Sequence, residues 1–295
     1  MKKTLILGPV YTEVLNNIIG DIKANEDLRF DNEERVVSGG GYQAALLFSK
    51  FSFPYFWGVS IGSGEYGEEA RKKAEEMGVE FTTTDNTSGC RYTIVSNDKH
   101  TTSFSVGGSE NVFDLDAIEL LPWEEYSGTI IFSEMLLNED ALIILAVLAS
   151  VQKPIYLVID ERIMECDPDV LGALFELNPV VFIDEREANL LYAGEVMEVD
   201  RILDDMFHDA ENDIYLLNHN DGIYFFDGKE RSLLPIEEGI DIARLATGYV
   251  LAKNSNIDKR NSLLFAKEIG ELSLKDIEGD LSDKKERLVR MISYK

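Results

Sequence analysis

The sequence has few of the residues that build metal centres or disulfide frameworks. Its 295 residues include 2 cysteines and 3 histidines, and no HExxH motif or other paired histidine spacing is present. This set is too small for a disulfide framework or a cysteine-rich metal site, and it argues against a zinc centre. Long apolar runs are also missing, because the longest, residues 141–149, is about half of the roughly 20 residues that a membrane-spanning helix requires.

Basic residues are in short supply. The chain has 28 Lys and Arg against 55 Asp and Glu, a formal net charge of −27 at pH 7. So acidic a surface repels phosphate backbones and anionic lipids, and we expect neither nucleic acid nor a membrane as a partner. A small anionic ligand is compatible with this charge, because a helix N-terminus supplies positive field locally. The N-terminal apolar run at residues 4–7 is shorter than a signal-peptide core, so we expect a cytoplasmic protein.

Short β-branched runs alternate with helical segments along the chain. Strands are predicted over residues 4–7, 55–61, 129–132, 155–159, 180–183 and 214–217. Helices are predicted over residues 42–51, over residues 66–77 with Gly78 as the C-cap, and from Asn138 onward. Repeated strand–helix–strand units predict an α/β fold with a central, mostly parallel sheet that is covered by helices on both faces.

Two segments break this alternation. Residues 10–37 and 90–106 have the polar, alternating pattern of exposed strands, and the second reads as a hairpin that turns at Asn97-Asp98. We interpret them as a small secondary sheet inserted within a single domain of residues 1–295. Ligands of open α/β sheets bind beyond the carboxyl ends of the strands, so this sheet is expected to act there as a lid.

A glycine-rich turn raises the question of a dinucleotide site. Gly62-Ser63-Gly64-Glu65-Tyr66-Gly67 matches GxGxxG between a predicted strand and a helix, and Asp85 follows at about the spacing of a ribose-binding carboxylate. This pattern supports an NAD-binding enzyme. A tight strand-to-helix turn in any α/β protein gives the same pattern, and both interpretations stay open at the level of sequence. No GxxxxGK[ST] loop is present.

Other candidate residues follow glycines or end strands. In Ser38-Gly39-Gly40-Gly41-Tyr42-Gln43 the glycines allow a close backbone approach to a ligand and Gln43 can donate and accept hydrogen bonds, although the same run could serve as a hinge. Acidic and basic residues follow two apolar strands at Asp160-Glu161-Arg162 and Asp184-Glu185-Arg186-Glu187. Residues at the carboxyl ends of parallel strands could bind magnesium or phosphate. Asp184 could also serve as the N-cap of the helix that follows.

Taken in order, these segments resemble the ribokinase-like (PfkB) carbohydrate kinases. Leu5-Ile6-Leu7-Gly8 is similar to the family's opening strand, and Glu13 stands at its sugar-binding Asp. Gly39–Gln43 matches the GGxxxN motif, with Gln43 replacing Asn, and Asp184–Glu187 matches NxxE, with Asp184 replacing Asn. Gly62–Gly67 matches the GDDxxG turn, and Gly78-Val79-Glu80 matches the start of the strand after its helix. Residues 91–106 match the second lid hairpin.

The resemblance carries expectations about the fold and its ligands. It implies a three-layer sandwich with a lid, ATP and Mg²⁺ as cofactors, a sugar or nucleoside as substrate, and a homodimer formed through the lid. It places the substrate at Glu13, Gly40, Gly41 and Gln43. It places nucleotide or phosphate contacts at Asp184, Glu187, Arg162 and Arg244, with Asp184 and Glu187 serving Mg²⁺.

The sequence departs from the family at its catalytic motif. Members carry DTxGAGD, whose glycines form an anion hole and whose last Asp is the base; the equivalent stretch here is 237–244. The base position falls on Ala243 or Arg244, while Ile240 and Ile242 replace glycines. Asp241 is the nearby acid that could act as a displaced base, or it could cap the next helix. Three hypotheses therefore remain: a kinase that uses Asp241, a ligand-binding pseudokinase, and an NAD-linked enzyme.

Overall fold

The computed structural model describes residues 1–17, 32–95, 101–109, 112–192, 213–226, 231–236 and 239–293. Its strands are β1 (Lys3–Leu7), β2 (Tyr11–Asn17), β3 (Asn32–Ser38), β4 (Tyr55–Trp57), β5 (Ser60–Ser63), β6 (Thr82–Thr87), β7 (Cys90–Val95), β8 (Thr101–Val106), β9 (Tyr126–Phe132), β10 (Ile155–Val158), β11 (Val180–Asp184), β12 (Ile214–Asn218), β13 (Gly222–Phe226) and β14 (Arg231–Pro235). Its α-helices are α1 (Gly40–Lys50), α2 (Gly64–Met77), α3 (Leu115–Glu119), α4 (Ala141–Val151), α5 (Pro168–Glu176), α6 (Glu185–Tyr192), α7 (Ile242–Asn254), α8 (Lys259–Gly270), α9 (Leu274–Glu278) and α10 (Ser282–Ser293). No helix within these ranges is long and apolar enough to cross a membrane.

The main sheet has eight strands in the order β14-β13-β12-β11-β10-β9-β1-β4. The strands from β12 to β4 are parallel, and β13 and β14 are antiparallel additions at one edge. Consecutive residues of β9 are fully buried, as expected for a parallel sheet with helices on both faces. The prediction of an α/β fold with a central, mostly parallel sheet is confirmed.

An aromatic cluster fixes α7 against the centre of this sheet. The ring of Phe182 in β11 lies 4.9 Å from Tyr215 in β12 and 5.5 Å from Tyr249 in α7, measured between centroids. The hydroxyl of Tyr215 donates to the hydroxyl of Tyr249 at 2.9 Å. Stacked and edge-on rings contribute beyond the area that they bury. The cluster therefore sets where α7 begins relative to the ends of the strands.

A second sheet has four strands in the order β3-β2-β7-β8, and we call it the small sheet. Its outer pairs are antiparallel, whereas the middle pair, β2 and β7, is parallel. The strands come from the two predicted polar segments, of which residues 18–31 and 96–100, including the predicted turn at Asn97-Asp98, lie outside the described residues. One face is held to α2, where Thr12 Oγ1 donates to the carbonyl oxygen of Tyr66 at 3.0 Å and the hydroxyls of Tyr66 and Tyr92 lie 2.7 Å apart.

The predicted strand over residues 55–61 is wrong, because the chain leaves the main sheet in its middle. β4 ends at Trp57, and β5 pairs with β6 in a separate two-stranded parallel sheet. At the break the Gly58 amide donates to the carbonyl oxygen of Ile6 at 2.9 Å. A Cβ on Gly58 would lie 2.7 Å from Leu7 Cδ2, so a larger residue would have to displace the Leu7 side chain where the chain turns away.

Helix starts also differ from the predictions. α1 and α2 each begin at a glycine, two residues before the predicted start, because glycines add nothing to the apolar periodicity on which the predictions rest. α4 begins at Ala141 instead of following Asn138 directly, since Asn138 Oδ1 accepts from the amide of Asp140 in a turn that precedes the helix. The predicted C-cap at Gly78 is confirmed by its left-handed backbone, with φ of 68°.

We predict that Phe182→Ala lowers the free energy of unfolding by about 3–5 kcal/mol, because it empties the centre of the aromatic cluster. Phe175→Ala in α5 is the matched control, since this side chain is 43% exposed, and its cost should be below about 1 kcal/mol. Urea unfolding followed by circular dichroism measures both values. Equal losses in the two variants would show that the cluster has no special weight.

Candidate ligand-binding site

The carboxyl ends of the parallel strands meet at one edge of the main sheet, and the small sheet faces part of that edge. On the small sheet, Glu13 in β2 pairs in register with Arg91 in β7, so that the two residues share a face with Tyr11. Arg91 also contacts Glu134, the second residue after the end of β9, with 3.6 Å between Nη2 and Oε1. We call the space between this face and the edge of the main sheet the cleft.

A hydrogen-bonded cluster joins the ends of β9 and β10. Asp160 Oδ2 accepts from the amide of Glu134 at 3.0 Å, and Oδ1 accepts from the amide of Arg162 at 2.8 Å. The amide of Asp160 in turn donates to Ser133 Oγ at 2.9 Å. Burial raises the pKa of Asp160, while the amides of Arg162 and Glu134, the Ser133 hydroxyl and the charge of Arg162 oppose that rise. This carboxylate therefore serves to fix both strand ends at the floor of the cleft.

A cavity of about 200 Å³ opens above this floor. Its lining combines residues of both sheets and the loop after β8: Tyr11, Cys90, Arg91, Ser105, Gly107, Gly108, Glu134 and Arg162. Burial raises the pKa of Glu134, and the charge of Asp160 adds to that rise, while the charges of Arg91 and Arg162 oppose it. The cavity thus holds two guanidinium groups around one largely buried carboxyl group.

The predicted substrate residues lie at two places. Glu13 is on the cleft face of the small sheet, where its Oε1 accepts from Thr93 Oγ1 at 2.5 Å. Gly40 and Gly41 lie at the end of β1 and are packed against protein, since a Cβ on Gly41 would lie 2.0 Å from the carbonyl oxygen of Gly8 and one on Gly40 would lie 2.3 Å from the Phe132 ring. The run of glycines is therefore needed for α1 to approach β1.

Gln43 contacts a residue more than half the chain away. Its Oε1 accepts from Arg244 Nη1 at 2.7 Å, so the GGxxxN-like motif on α1 meets the first turn of α7. Asp241 caps α7 by accepting from the amide of Arg244 at 2.9 Å, and its Oδ2 lies 3.5 Å from Arg244 Nη1. Burial lowers the pKa of Arg244, which the charge of Asp241 partly offsets. The structure thus brings together Gln43, Asp241 and Arg244.

Asp184 and Glu187 lie side by side at the end of β11. Asp184 Oδ1 accepts from the amide of Arg186 at 2.9 Å, which makes the predicted cap, and Oδ2 contacts His219 Nε2. Burial, followed by the charge and the side-chain contact of Asp184, raises the pKa of Glu187 to about 7. Within the described ranges no group of three or more His, Cys, Asp or Glu could hold a metal. Magnesium commonly uses one or two carboxylates together with water and substrate phosphates, so the pair fits an ion that arrives with a nucleotide.

The fold of this chain is similar to that of solved proteins, although sequence comparisons find no match. No protein family model matches the chain, and no curated protein matches its sequence. Similar solved structures include a Cryptococcus neoformans ribokinase in complex with ADP (16% identity, 97% of this chain and 100% of that one, TM-score 0.75) and an Arabidopsis thaliana ribokinase complexed with ribose and ATP (13%, 100% and 99%, 0.76). A Burkholderia thailandensis nucleoside kinase in complex with inosine is similar over 99% of both chains, with 13% identity and a TM-score of 0.73. The chain has the ribokinase-like fold. The match spans nearly its whole length, as the order of the motifs predicted.

Within this ribokinase-like fold the first and last glycines of the GxGxxG turn, Gly62 and Gly67, are packed against protein, and Gly64 has a left-handed backbone with φ of 82°. A Cβ on Gly62 would lie 2.2 Å from Ser109 Oγ, and one on Gly67 would lie 2.1 Å from the carbonyl oxygen of Gly62. That carbonyl accepts from Arg71 Nη2 at 2.5 Å. β5, α2 and β6 do form a parallel strand–helix–strand unit, but it lies outside the main sheet. The tight-turn interpretation of this segment explains its glycines without a dinucleotide.

The sequence analysis did not single out Tyr11, Arg91 and Glu134. Glu134 could have been found by the reasoning applied to Asp160 and Asp184, because it also follows a strand that ends at the carboxyl edge. Arg91 gave no such signal, since a basic residue in an exposed hairpin is ordinary. Its role depends on the position of the small sheet over the main one, which brings its Nη2 to 3.6 Å from Glu134 Oε1. Within the small sheet, its Cζ lies 4.2 Å from the centroid of the Tyr11 ring.

We predict a measurable pH dependence from Glu187. The folded protein holds its proton up to about pH 7 and the unfolded chain loses it near the ordinary value of 4.5. The folded state then binds more protons between these values, so the free energy of unfolding falls as the pH rises from about 4.5 to 7. Glu187→Gln should remove this fall. At pH 8 its free energy of unfolding should be about 1–2 kcal/mol higher than that of the wild type, a figure discounted for the part of the side chain that is screened by solvent.

Urea unfolding at pH 5 and pH 8 measures this effect. Glu176→Gln on the exposed side of α5 is the control for the loss of one charge, and it should follow the wild type at both pH values. A Glu187→Gln protein that is as pH-dependent as the wild type would contradict the assignment.

Proposed function

We propose that this chain is a divergent ribokinase-like (PfkB) protein that binds a small polyhydroxylated ligand, a sugar or a nucleoside, in the cleft, and that its ATP-dependent phosphoryl transfer is weakened or lost. The similar structures support the ligand class, since they were solved with ribose, inosine, ADP or ATP. The observation that carries the second part is the hydrogen bond from Arg244 to Gln43.

The chemistry of the cleft supports a ligand with several hydroxyl groups. Glu13, Thr93 and Ser103 form a hydrogen-bonded row on its small-sheet face, with 3.0 Å between the hydroxyl oxygens of Thr93 and Ser103. Glu134 adds a second carboxyl group from the opposite side. Carboxylates accept and hydroxyls both donate and accept, which suits the hydrogen-bonding capacity of a polyol.

Arg244 argues against efficient transfer. The resemblance places the base at Ala243 or Arg244, and an arginine stays protonated in proteins, so neither residue can accept the proton of a hydroxyl. A substrate hydroxyl near Gln43 would meet a guanidinium where a kinase needs a carboxylate. A positioned base contributes about 10²–10⁴-fold to a rate, and its loss alone would make turnover slow.

Two backbone amides of the stretch that corresponds to the anion hole are already paired. Ile240 is buried and packs against Gly270, where an added Cβ would lie 2.7 Å from Ile240 Cγ2. The Asp241 amide donates to the carbonyl oxygen of Gly270 at 3.0 Å, and the Arg244 amide is capped by the Asp241 carboxylate. Amides that are already paired cannot stabilise a transferring phosphoryl group, and one lost donor costs about 2.7–4 kcal/mol.

Nucleotide binding is a separate part of the proposal. Asp184 and Glu187 would hold a Mg²⁺ ion, which would supply positive charge to neutralise the phosphates of ATP. The raised pKa of Glu187 supports this role, because two adjoining carboxyl groups gain from a cation between them. No observation favours NAD over ATP, since Gly62 and Gly67 of the GxGxxG turn are packed against protein.

A panel of sugars, nucleosides and ATP with Mg²⁺ tests the proposal by thermal shift and by transfer of labelled phosphate. At least one sugar or nucleoside should raise the melting temperature, as a ligand that binds only the folded state must, and no labelled product should form. Absence of any shift across the panel would contradict ligand binding.

Two matched variants distinguish an active kinase that uses Asp241 as its base from a protein in which Asp241 only caps a helix. Asp241 and Asp258 both cap helices through their carboxylates, α7 and α8 respectively, so Asp→Asn has the same local effect at each. If transfer is detected, abolished by Asp241→Asn and kept by Asp258→Asn, then Asp241 is a displaced base and the chain is an active kinase. Equal effects of the two variants would assign Asp241 to capping alone.

We also propose that a homodimer forms through the small sheet and that the protein is cytoplasmic. The support for the dimer is that Phe104 and Val106 on the edge strand β8 are 56% and 57% exposed, and exposed apolar side chains on an unpaired edge mark an association surface. Replacing both with Ser should convert a dimer to a monomer in light scattering. A wild-type monomer at high concentration would contradict this arrangement.

A further inference from the structure

Two arginines from different sheets converge on one point in the cleft. Arg91 projects from β7 of the small sheet, and Arg162 follows β10 of the main sheet. Arg91 Nη2 lies 3.6 Å and Arg162 Nη1 lies 3.4 Å from the same atom, Glu134 Oε1. One acceptor placed near that atom can therefore interact with both guanidinium groups.

The pairing with Glu134 leaves the hydrogen-bonding capacity of Arg91 under-used. Arg162 also forms an ion pair with Glu165, with 3.0 Å between Nη2 and Oε2, and its Nη1 is the group that lies near Glu134. Hydrogen bonds between an arginine and a carboxylate are about 2.7–2.9 Å long, and both contacts to Glu134 are longer. Within the described part of the chain, Glu134 is the single carboxylate within 4 Å of Arg91. The Arg91 guanidinium is held instead by the Tyr11 ring, 4.2 Å from its centroid, which orients the group and leaves its N–H edges free of a short ion pair.

The cavity is also a local exception to the charge of the protein. The whole chain has a net charge of −27, whereas the lining of this cavity holds two arginines and one carboxyl group. Burial weakens the ionisation of that carboxyl group, which makes the lining more positive still. In a protein this acidic, two arginines on one small cavity favour the binding of an anion at that place.

We propose that the ligand of this cleft carries an anionic group, a carboxylate or a phosphate joined to a polyhydroxylated body, and that Arg91 and Arg162 bind this group from opposite sides. This inference rests on the proposed ligand-binding function and narrows its substrate class. The planar guanidinium matches carboxylate and phosphate oxygens alike. A volume of about 200 Å³, against about 30 Å³ for one water, accommodates such a group and a short carbon chain, with Glu13 on the same face for the hydroxyls.

Paired probes with and without the anion test the inference by isothermal titration calorimetry. D-gluconate is compared with sorbitol, which lacks the carboxylate, and ribose 5-phosphate is compared with ribose, which lacks the phosphate. We expect at least one anionic probe to bind about 10- to 100-fold more tightly than its neutral counterpart, the range of one or two charged hydrogen bonds. Which pair shows the preference distinguishes a sugar acid from a sugar phosphate.

Variants locate the anion. Arg91→Gln and Arg162→Gln should each remove most of the preference while keeping the affinity for the neutral probe. Arg35→Gln is the matched control, because Arg35 lies in β3 on the other face of the small sheet, where it pairs with Glu33 and Glu65, and it should change nothing. Glu134→Gln removes the competing carboxylate and should tighten the anionic probe several-fold, which loss of structure alone would not produce.

The outcomes distinguish a failure of the anion site from a failure of the proposed polyol-binding function. If neutral and anionic probes bind equally, the anion site is wrong and the polyol-binding function stands. If neither class binds, both are wrong. An anion preference that survives Arg91→Gln and Arg162→Gln overturns the assignment to these arginines, and thermal melts of each variant exclude unfolding as the cause.

Discussion

Helix α1 can pack against the end of β1 only because Gly8 and Gly41 both lack a side chain. A Cβ on either residue would lie within 2.8 Å of the other's backbone. Pro9 fastens the same junction, since its carbonyl oxygen accepts from the amides of Gly41 and Tyr42 at 3.1 and 3.3 Å. The approach brings the second turn of α1 to the carboxyl edge of the sheet. Every contact that Gln43 makes depends on it, and so does the position of that residue relative to the start of α7.

The electrostatics of one half of the site depend on the residue at the start of α7, Arg244. The guanidinium of Arg244 at the start of α7 donates to Gln43. Asp241 both caps the helix, by accepting from the Arg244 amide, and lies close enough to the guanidinium to offset its charge. The charges at the other end of the edge are arranged differently, because Glu187 lies against Asp184 and holds a proton more readily than an isolated carboxyl group. The two halves of the edge therefore differ in character: one is filled by internal pairing, whereas the other keeps acidic groups that a cation would stabilise.

Much of the main sheet could be predicted from the sequence, because strands such as β11 and β12 are buried on both faces and read as short apolar runs between turns. The break at Gly58 could not, since it depends on Leu7 in a neighbouring strand. The same limit applies to the site. Asp184 was visible as a strand-ending acid, but the bond between Gln43 and Arg244 joins residues 201 positions apart, and no local pattern encodes it. Arg91 likewise acquires its partners only when the small sheet lies over the main one.

The parallel pairing of β2 with β7 joins two pairs of strands that are far apart in the chain into one small sheet. Separating these pairs would break the backbone hydrogen bonds along six paired positions, from Thr12 with Cys90 to Asn17 with Val95. Glu13 and Arg91 are therefore held at a fixed spacing by the sheet itself, and only a displacement of the whole small sheet would change their distance to Glu134. A ligand that contacts both this face and Glu134 would thus fix the width of the cleft for both residues at once.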